Sequence, residues 1–235
     1  MSKNFSTFNS VMECHEKIVF EEWGLIPYAE AYRRQQELFD LRVSAKRNGE
    51  DTPCDVWVFC EHPPVITMGQ HGNRRNLLYS AETLKARAID FFLTDRGGDV
   101  TFHGPGQCVC YPLLDLERRR MGLRRYVELL EEVVIRTLSG YGIVAGRLPG
   151  ASGVWIEPGT AQERKICAVG IRSSRYVTMH GIALNVNTDL SGFSLINPCG
   201  FTDKGVTSLA RELGQSLNME RVKTHLRQHV LSLFL

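Results

Sequence analysis

The stretch from Gly153 to Val186, GVWIEPGTAQERKICAVGIRSSRYVTMHGIALNV, carries the strongest signal for the fold. It contains three apolar runs, at residues 153–156, 165–171 and 176–186. Short polar or glycine-containing stretches separate the runs, which is the pattern of strands joined by tight connections. Consecutive strands with such short connections predict an antiparallel meander.

Helical and extended patterns alternate irregularly around this meander. Apolar residues at three- and four-residue spacing predict helices from Pro27 to about Lys46, from Leu123 to Ser139 and from Asn218 to Leu235. Further strands are expected at 56–60, 65–68, 89–94 and 108–111, and short helices at 80–88 and 206–213. Because strands are often adjacent in the sequence, we expect an α+β fold in which helices flank a mixed β-sheet, within one domain of residues 1–235.

The composition narrows the class of protein. The 235 residues have a formal net charge of +2, which gives no strong field that would attract nucleic acid. No run approaches the roughly 18 apolar residues that a membrane-spanning helix needs. Seven cysteines without Cys-x-x-Cys spacing argue against a disulfide framework and a structural zinc site. We therefore expect a cytoplasmic protein with reduced thiols that binds neither nucleic acid nor membranes.

A glycine-rich stretch, RGGDVTFHGPGQ from Arg96 to Gln107, lies between predicted strands. Glycine at this density lets the backbone approach a ligand closely or adopt positive φ, although a hairpin loop with tight turns has the same composition. The sequence lacks a phosphate-binding P-loop, a dinucleotide fingerprint, a Gly-x-Ser-x-Gly elbow and a His-Glu-x-x-His motif. Nucleotide-binding, serine-hydrolase and zinc-protease functions lose support.

Cys199 is the strongest candidate nucleophile, because the turn residues of Asn-Pro-Cys-Gly surround it at 197–200. An isolated cysteine is more often a small buried hydrophobe. A thiol also needs a nearby cation or base to form the reactive thiolate at neutral pH. Lys165, at the start of an apolar strand, is the first candidate for that role, and His103 and His180 are the others.

Several motifs in order resemble those of the lipoyl(octanoyl) transferases, over about Val56 to Leu213. They are HPPV at 62–65 with Gly69, RGG-x-VT-x-HGPGQ at 96–107, YP at 111–112, GVWI at 153–156, KI-x-AVG at 165–170, T-x-HG-x-ALNV at 178–186 and PCG at 198–200. The resemblance implies the fold of biotin and lipoate protein ligase catalytic domains.

The same resemblance implies a reaction and its machinery. The enzyme would move an octanoyl group from octanoyl-acyl carrier protein to a lysine of a lipoyl domain, in a 2-oxoacid dehydrogenase or the glycine cleavage H protein. This acyltransferase reaction is the first step of endogenous protein lipoylation. Cys199 would carry the acyl thioester, and Lys165 would lower the pKa of that thiol and shuttle protons. No metal or cofactor is implied.

The resemblance also implies an acyl pocket built from three parts of the chain. Its residues would be Arg96, Gly97, Gly98, Asp99, Val100, Thr101, Phe102, His103, Ala168, Val169, Gly170, Gly181, Ile182 and Ala183. Both protein substrates are expected to be acidic, so surface arginines would steer their docking; the candidates are Arg74, Arg75, Arg118, Arg119 and Arg120. Cys108 and Cys167 depart from the family pattern, and a spacing of two places Cys167 on the strand face of Lys165.

Two other functions are compatible with the same fold. An ATP-dependent lipoate or biotin ligase activates its acid as an adenylate and needs no catalytic cysteine. A binding protein could hold acyl groups or lipoyl domains without turnover, which resemblance in fold does not exclude. The presence of both Cys199 and Lys165 favours the transferase.

Overall fold

Two β-sheets organise the computed structural model, which describes residues 17–197 and 205–235. The strands are β1 (Ile18–Leu25), β2 (Asp55–Glu61), β3 (Val65–Met68), β4 (Asp90–Leu93), β5 (Val100–His103), β6 (Gln107–Leu113), β7 (Ala145–Leu148), β8 (Ala151–Ile156), β9 (Arg164–Ser174), β10 (Val177–Asn185) and β11 (Gly205–Val206). The helices are α1 (Tyr28–Asn48), α2 (Ala81–Ala86), α3 (Leu123–Ser139), α4 (Leu209–Leu213) and α5 (Met219–Phe234), with short 3-10 turns at Arg74–Asn76 and Leu190–Leu195.

The large sheet has the strand order β1-β2-β6-β10-β9-β8-β7, and β11 pairs with the first residues of β9. Strand β1 runs parallel to β2, and the neighbours from β2 to β7 are antiparallel. The small sheet has the order β4-β3-β5. The expected mixed sheet and the meander of β8, β9 and β10 are therefore confirmed.

Helices cover both faces of the large sheet. The apolar side chains of α3 and α5 pack with Trp57 and Cys110 on one face. Those of α1 pack with Val58 and Met179 on the other face. Burial of each large aliphatic or aromatic side chain contributes about 1.5–3 kcal/mol, so the helices are held mainly by this packing. Among the described residues, we find no helix that has both the length and the apolarity to cross a membrane.

The helix predictions agree closely with the structure. Helix α3 has the predicted bounds, and its apolar stripe from Tyr126 to Leu138 is buried. Helix α1 ends at Asn48, where Gly49 adopts a left-handed φ of 71° and closes the helix through backbone hydrogen bonds. Helix α2 begins after Ser80, whose side chain accepts a hydrogen bond from the Thr83 amide.

Four strands were not predicted. One is β11, because Val206, expected to begin the helix 206–213, pairs with Lys165 of β9 instead, and the helix α4 begins only at Leu209. Strands β1 and β7 lie at the two edges of the large sheet, where their side chains are only partly buried and show no clear alternation. Strand β5 lies inside the glycine-rich stretch, whose composition indicates a loop. It forms because Val100 to His103 pair with β3 across about 35 residues of sequence, a contact that local composition does not report.

A buried ion-pair cluster closes the end of β2. Asp55 is fully buried, and its carboxylate lies 2.6 Å from Arg118 Nη2 and 2.5 Å from Arg119 Nε. The backbone amide of Asp115 also donates to Asp55, at 2.9 Å. Arg118 and Arg119 are therefore internal ligands of a carboxylate, and neither is free on the surface to steer a protein substrate.

Candidate active site

One cavity lies between the large sheet and the glycine-rich stretch. Its lining comes from α1, from the segment that ends in β5, from β6, β8, β9, β10 and β11, and from the 3-10 turn at Leu190–Leu195. The lining residues are Tyr28, Arg96, Gly98, Asp99, Val100, Thr101, His103, Gln107, Val109, Tyr111, Ser152, Lys165, Ala168, Val169, Gly170, His180, Gly181, Ile182, Ala183, Asn185, Phe193 and Val206. All three predicted parts of the acyl pocket therefore meet in one cavity.

Two predicted pocket residues do not line the cavity. Phe102 points into the core of the small sheet, where its ring centroid lies 5.5 Å from that of Phe193. Gly97 serves through its backbone, because its amide donates to the Ile171 carbonyl of β9 at 2.8 Å. This hydrogen bond ties the glycine-rich stretch to the large sheet and so closes one side of the cavity.

Lys165 lies at one end of the cavity, on β9, and only 9% of it is exposed. Its ammonium is 4.6 Å from the centroid of the Trp155 ring, a favourable cation–π distance. Gly153 of β8 adopts a φ of +114°, and a Cβ there would lie 2.5 Å from the Cys167 carbonyl oxygen, so glycine is required where β8 passes beside the lysine. The lysine is thus held in a largely apolar wall with its charge facing an aromatic ring.

A β-bulge sets the orientation of Lys165. Trp155 of β8 pairs with Lys165, but its neighbour Val154 pairs with Cys167, so Ile166 is the extra residue. Ile166 and Cys167 both enter the apolar core behind the sheet, whereas Lys165 lines the cavity. The expectation that Cys167 shares a face with Lys165 is therefore wrong, because the bulge interrupts the simple alternation of the strand.

Cys199 lies outside the described residues, but the chain on both sides of it is anchored beside the cavity. The amide of Asn197 donates to the Asn76 carbonyl at 2.8 Å. After the undescribed segment, Val206 of β11 pairs with Lys165, and the Thr207 amide donates to the Lys165 carbonyl at 3.0 Å. The described chain therefore resumes, six residues after Cys199, directly alongside the lysine.

Arg96 shapes the cavity wall. Its guanidinium donates to the Thr67 carbonyl at 2.7 Å and to the Thr67 hydroxyl at 3.0 Å, and Nη1 donates to the Gly97 carbonyl at 3.0 Å. A Cβ on Gly170 would lie 3.0 Å from the Gly97 carbonyl oxygen, and one on Gly69 would lie 2.4 Å from the Gly98 carbonyl oxygen. The glycines are needed because two backbone segments approach each other closely here.

Asp99 links the cavity wall to the neighbouring 3-10 turn. Its carboxylate accepts hydrogen bonds from the Asn73 amide, at 3.0 Å, and from the Asn76 side chain. Asp99 also lines the cavity. The carboxylate therefore holds in place the same turn to which Asn197 is bonded.

Two buried histidines, His103 and His180, line the cavity, and a third, His62, packs against His103 behind the wall. His103 lies 2.7 Å from the Gln107 side-chain oxygen, and burial lowers its pKa to about 3. His62 donates through Nδ1 to the Ile26 carbonyl and accepts from the Tyr111 hydroxyl, each at 2.7 Å. Burial lowers the pKa of His62 to about 4. Both imidazoles are neutral at pH 7 and therefore do not supply the cation that a thiolate needs.

His180 has an unusual backbone conformation. Its φ of +61° lies in the left-handed region, which is rare for a residue other than glycine. Its amide donates to the Gln35 side chain at 3.1 Å, and its Nε2 lies 2.7 Å from Asp95 Oδ1. Burial lowers the pKa of His180, although the Asp95 carboxylate opposes this shift. The buried Gln35 and the half-buried Asp95 thus hold the strained residue in the cavity wall.

The described thiols are poor competitors for Cys199. Cys60, Cys108, Cys110 and Cys167 are free and fully buried, and burial raises the pKa of Cys60, Cys110 and Cys167. A raised pKa and the absence of solvent access both suppress thiolate chemistry. Cys54 is disulfide-bonded, so the expectation of reduced thiols throughout is wrong for this residue.

Sequence reasoning missed part of the cavity. Tyr28 stands in a predicted helix far from any motif, and no local signal marks it. Val109 and Ser152 are ordinary strand residues by sequence. Gln107 ends the motif at 96–107 and Tyr111 begins the motif at 111–112. Membership of these motifs was the signal that could have identified both residues as part of the cavity.

Comparison with known proteins defines the class. A family model, the lipoyl protein ligase A/B catalytic domain, matches residues 27–231. Among solved structures, a bipartite lipoate protein ligase from Thermoplasma acidophilum aligns with a TM-score of 0.68 and 16% sequence identity, covering 93% of this chain and 84% of that one. At this identity the likeness shows the fold alone, which is the fold that the sequence motifs indicated.

Curated relatives give the narrower family. The octanoyltransferase of Bacteroides fragilis strain YCH46 is 56% identical over 219 residues, which cover 93% of this chain and 99% of that protein. The octanoyltransferase of Parabacteroides distasonis is 50% identical over 220 residues, with the same coverage of both chains. The chain belongs to the octanoyltransferase family, within the lipoyl protein ligase A/B class.

Proposed function

We propose that the protein transfers an octanoyl group from octanoyl-acyl carrier protein to a lysine of a lipoyl domain, through a thioester on Cys199. Membership of the octanoyltransferase family supports the reaction. The observation that carries the mechanism is the position of Lys165, buried at one end of an apolar cavity and paired with the strand to which the chain returns from Cys199. The reaction takes place in the cytoplasm.

The first half of the reaction loads the enzyme. The Cys199 thiolate attacks the carbonyl carbon of the donor thioester and forms a new carbon–sulfur bond. The bond to the carrier sulfur breaks, and the leaving thiolate takes a proton from the Lys165 ammonium. The products are the octanoyl-enzyme and the free carrier thiol, and neither ATP nor a metal takes part.

The second half delivers the acyl group. The acceptor lysine, as a neutral amine, attacks the thioester carbonyl carbon and forms the carbon–nitrogen bond. Its surplus proton passes to the Lys165 amine, and Cys199 leaves as a thiolate. The enzyme returns to its starting protonation state, and the conversion of a thioester into an amide drives the transfer forward.

The described groups around the cavity agree with these roles. With His62 and His103 neutral, Lys165 is the cationic group at the cavity end nearest the returning chain. The walls between Lys165 and the histidines are largely aliphatic and small, from Ala168 to Gly170 and from Gly181 to Ala183. Roughly six methylenes buried at about 0.8 kcal/mol each contribute on the order of 5 kcal/mol to acyl binding.

Intact-protein mass measurement tests the proposal. The protein is incubated with octanoyl-acyl carrier protein, with no ATP and no acceptor, beside the variants Cys199→Ala, Lys165→Met and Cys167→Ala. We expect a hydroxylamine-labile octanoyl adduct on the native protein and on the Cys167→Ala control. We expect none on Cys199→Ala and a strongly slowed adduct on Lys165→Met. Addition of a lipoyl domain should discharge the adduct.

The opposite results point to other functions. An adduct that persists in Cys199→Ala contradicts the assigned nucleophile. Modification of the lipoyl domain that requires ATP and free octanoate indicates a ligase. Tight binding of the carrier without an adduct or a product indicates a binding protein. An equal rate in Lys165→Met and in the native protein removes the lysine from the mechanism.

A further inference from the structure

Residues 74–87 form a basic surface, here called the 74–87 surface, that starts at the 3-10 turn and ends after α2. This segment has four basic residues and one acidic residue, so its formal charge of +3 exceeds the +2 of the whole chain. The basic residues are Arg74, Arg75, Lys85 and Arg87, and the acid is Glu82; all five are exposed. Residues 118–125 are also strongly basic, but there Asp55 pairs with Arg118 and Arg119, and Glu128 pairs with Arg124 and Arg125.

The 74–87 surface is also partly apolar. Leu78 is 50% exposed and Tyr79 is 38% exposed, and the Arg87 guanidinium lies 4.8 Å from the centroid of the Tyr79 ring. Within residues 17–197 and 205–235, Arg74 and Arg75 take part in none of the ion pairs that hold other arginines. Exposed aromatic and aliphatic residues beside unpaired arginines have the composition of a protein-binding surface.

The 74–87 surface borders the chain that leads to Cys199. The Leu78 amide donates to the Leu195 carbonyl at 3.0 Å, and the Asn197 amide donates to the Asn76 carbonyl at 2.8 Å. Asn197 is two residues before Cys199 in the sequence. A protein bound at this surface therefore lies beside the last described residues before the segment that carries Cys199.

We propose that the 74–87 surface docks the donor carrier protein, an inference that rests on the proposed function. The donor carries its thioester on an arm that contains a phosphate diester, and arginine recognises phosphate with paired N–H donors. Both protein substrates are expected to be acidic, so net charge does not separate them. The phosphate on the arm of the donor is the feature that these paired guanidinium donors would recognise and the acceptor lacks.

Charge reversal separates docking from catalysis. The variant Arg74→Glu/Arg75→Glu is compared with Arg47→Glu/Arg221→Glu, which has the same net charge but changes exposed arginines on α1 and α5. Formation of the octanoyl adduct on Cys199 is timed with two donors. One is octanoyl-acyl carrier protein, and the other is octanoyl-N-acetylcysteamine, a thioester with neither a phosphate nor a protein.

We expect loading from the carrier protein to fall roughly 10- to 100-fold in the first variant and less than twofold in the control. We expect loading from the small thioester to change less than twofold in both variants. The salt dependence of loading from the carrier should also weaken in the first variant. The milder Arg74→Gln/Arg75→Gln variant should show an intermediate loss, which covers the case that charge reversal impairs folding.

Three results would overturn the inference. Unchanged loading from the carrier excludes this surface as its docking site. An equal loss of loading rate with both donors would mean that the 3-10 turn at residues 74–76 supports the cavity and does not dock the carrier. A loss confined to the transfer from preformed octanoyl-enzyme to the lipoyl domain assigns the surface to the acceptor. Failure of the proposed function itself is distinct, since the native protein would then form no adduct with either donor.

Discussion

Neutralising Asp55 tests whether Arg118 and Arg119 are structural. Asp55→Asn keeps the size of the side chain but removes the charge that both guanidiniums face at 2.5–2.6 Å. The carboxylate is fully buried, and the two arginine side chains are only 12% and 9% exposed. The substitution therefore leaves two cations without their partner in a poorly hydrated site.

The expected cost follows from this burial. Removing one partner of a buried ion pair typically destabilises a protein by about 3–5 kcal/mol. For a chain of this length each kcal/mol corresponds to roughly 2–4 °C, so the melting temperature should fall by roughly 6–20 °C. Urea unfolding followed by circular dichroism measures the free energy, and a thermal melt measures the shift.

The matched control removes an exposed ion pair instead. Glu37→Gln breaks the pair with Arg33, in which both side chains are about 60% exposed, and should cost less than about 1 kcal/mol. A loss below about 1 kcal/mol in Asp55→Asn would refute the structural assignment. If stability were unchanged while loading from the carrier protein slowed, Arg118 and Arg119 would again be candidates for docking.

The remaining predictions concern the cavity and its histidines. Tyr28→Ala opens one wall of the cavity and makes room for two more methylenes. At about 0.8 kcal/mol per buried methylene, the ratio of kcat/KM for decanoyl over octanoyl donors should rise roughly 15-fold. An unchanged ratio would contradict this prediction. Gly170→Ala places a Cβ 3.0 Å from a carbonyl oxygen and should lower the free energy of unfolding, measured in urea, by about 1–3 kcal/mol. In the control Gly122→Ser the new side chain points into open space at a helix N-cap, so the free energy of unfolding should not fall. Burial lowers the pKa of His62 to about 4 and of His103 to about 3, so below pH 6.5 the unfolded chain binds more protons than the folded one. The free energy of unfolding should therefore fall from pH 6.5 toward pH 4, by about 1.4 kcal/mol per pH unit for each histidine, and a flat profile would contradict the burial of neutral imidazoles.

The sequence by itself determined the elements whose pattern is local. The stripe of α3, the termination of α1 at Gly49 and the three strands of the meander all follow from side-chain periodicity and turn residues over a few positions. The glycine-rich stretch and Lys165 were also visible as candidates, because glycine density and a charge in an apolar strand are local features. The family followed from the order of such motifs.

Tertiary structure decided what depends on distant partners. Strand β5 forms only because β3 offers an unpaired edge, and Arg118 leaves the surface only because Asp55 lies buried 63 residues earlier. The bulge at Ile166 turns Cys167 into the core, although alternation alone predicts that it faces the cavity. Tyr28 reaches the cavity because α1 packs across the sheet. In each case the deciding energy is a contact between residues far apart in the chain, which no local pattern records.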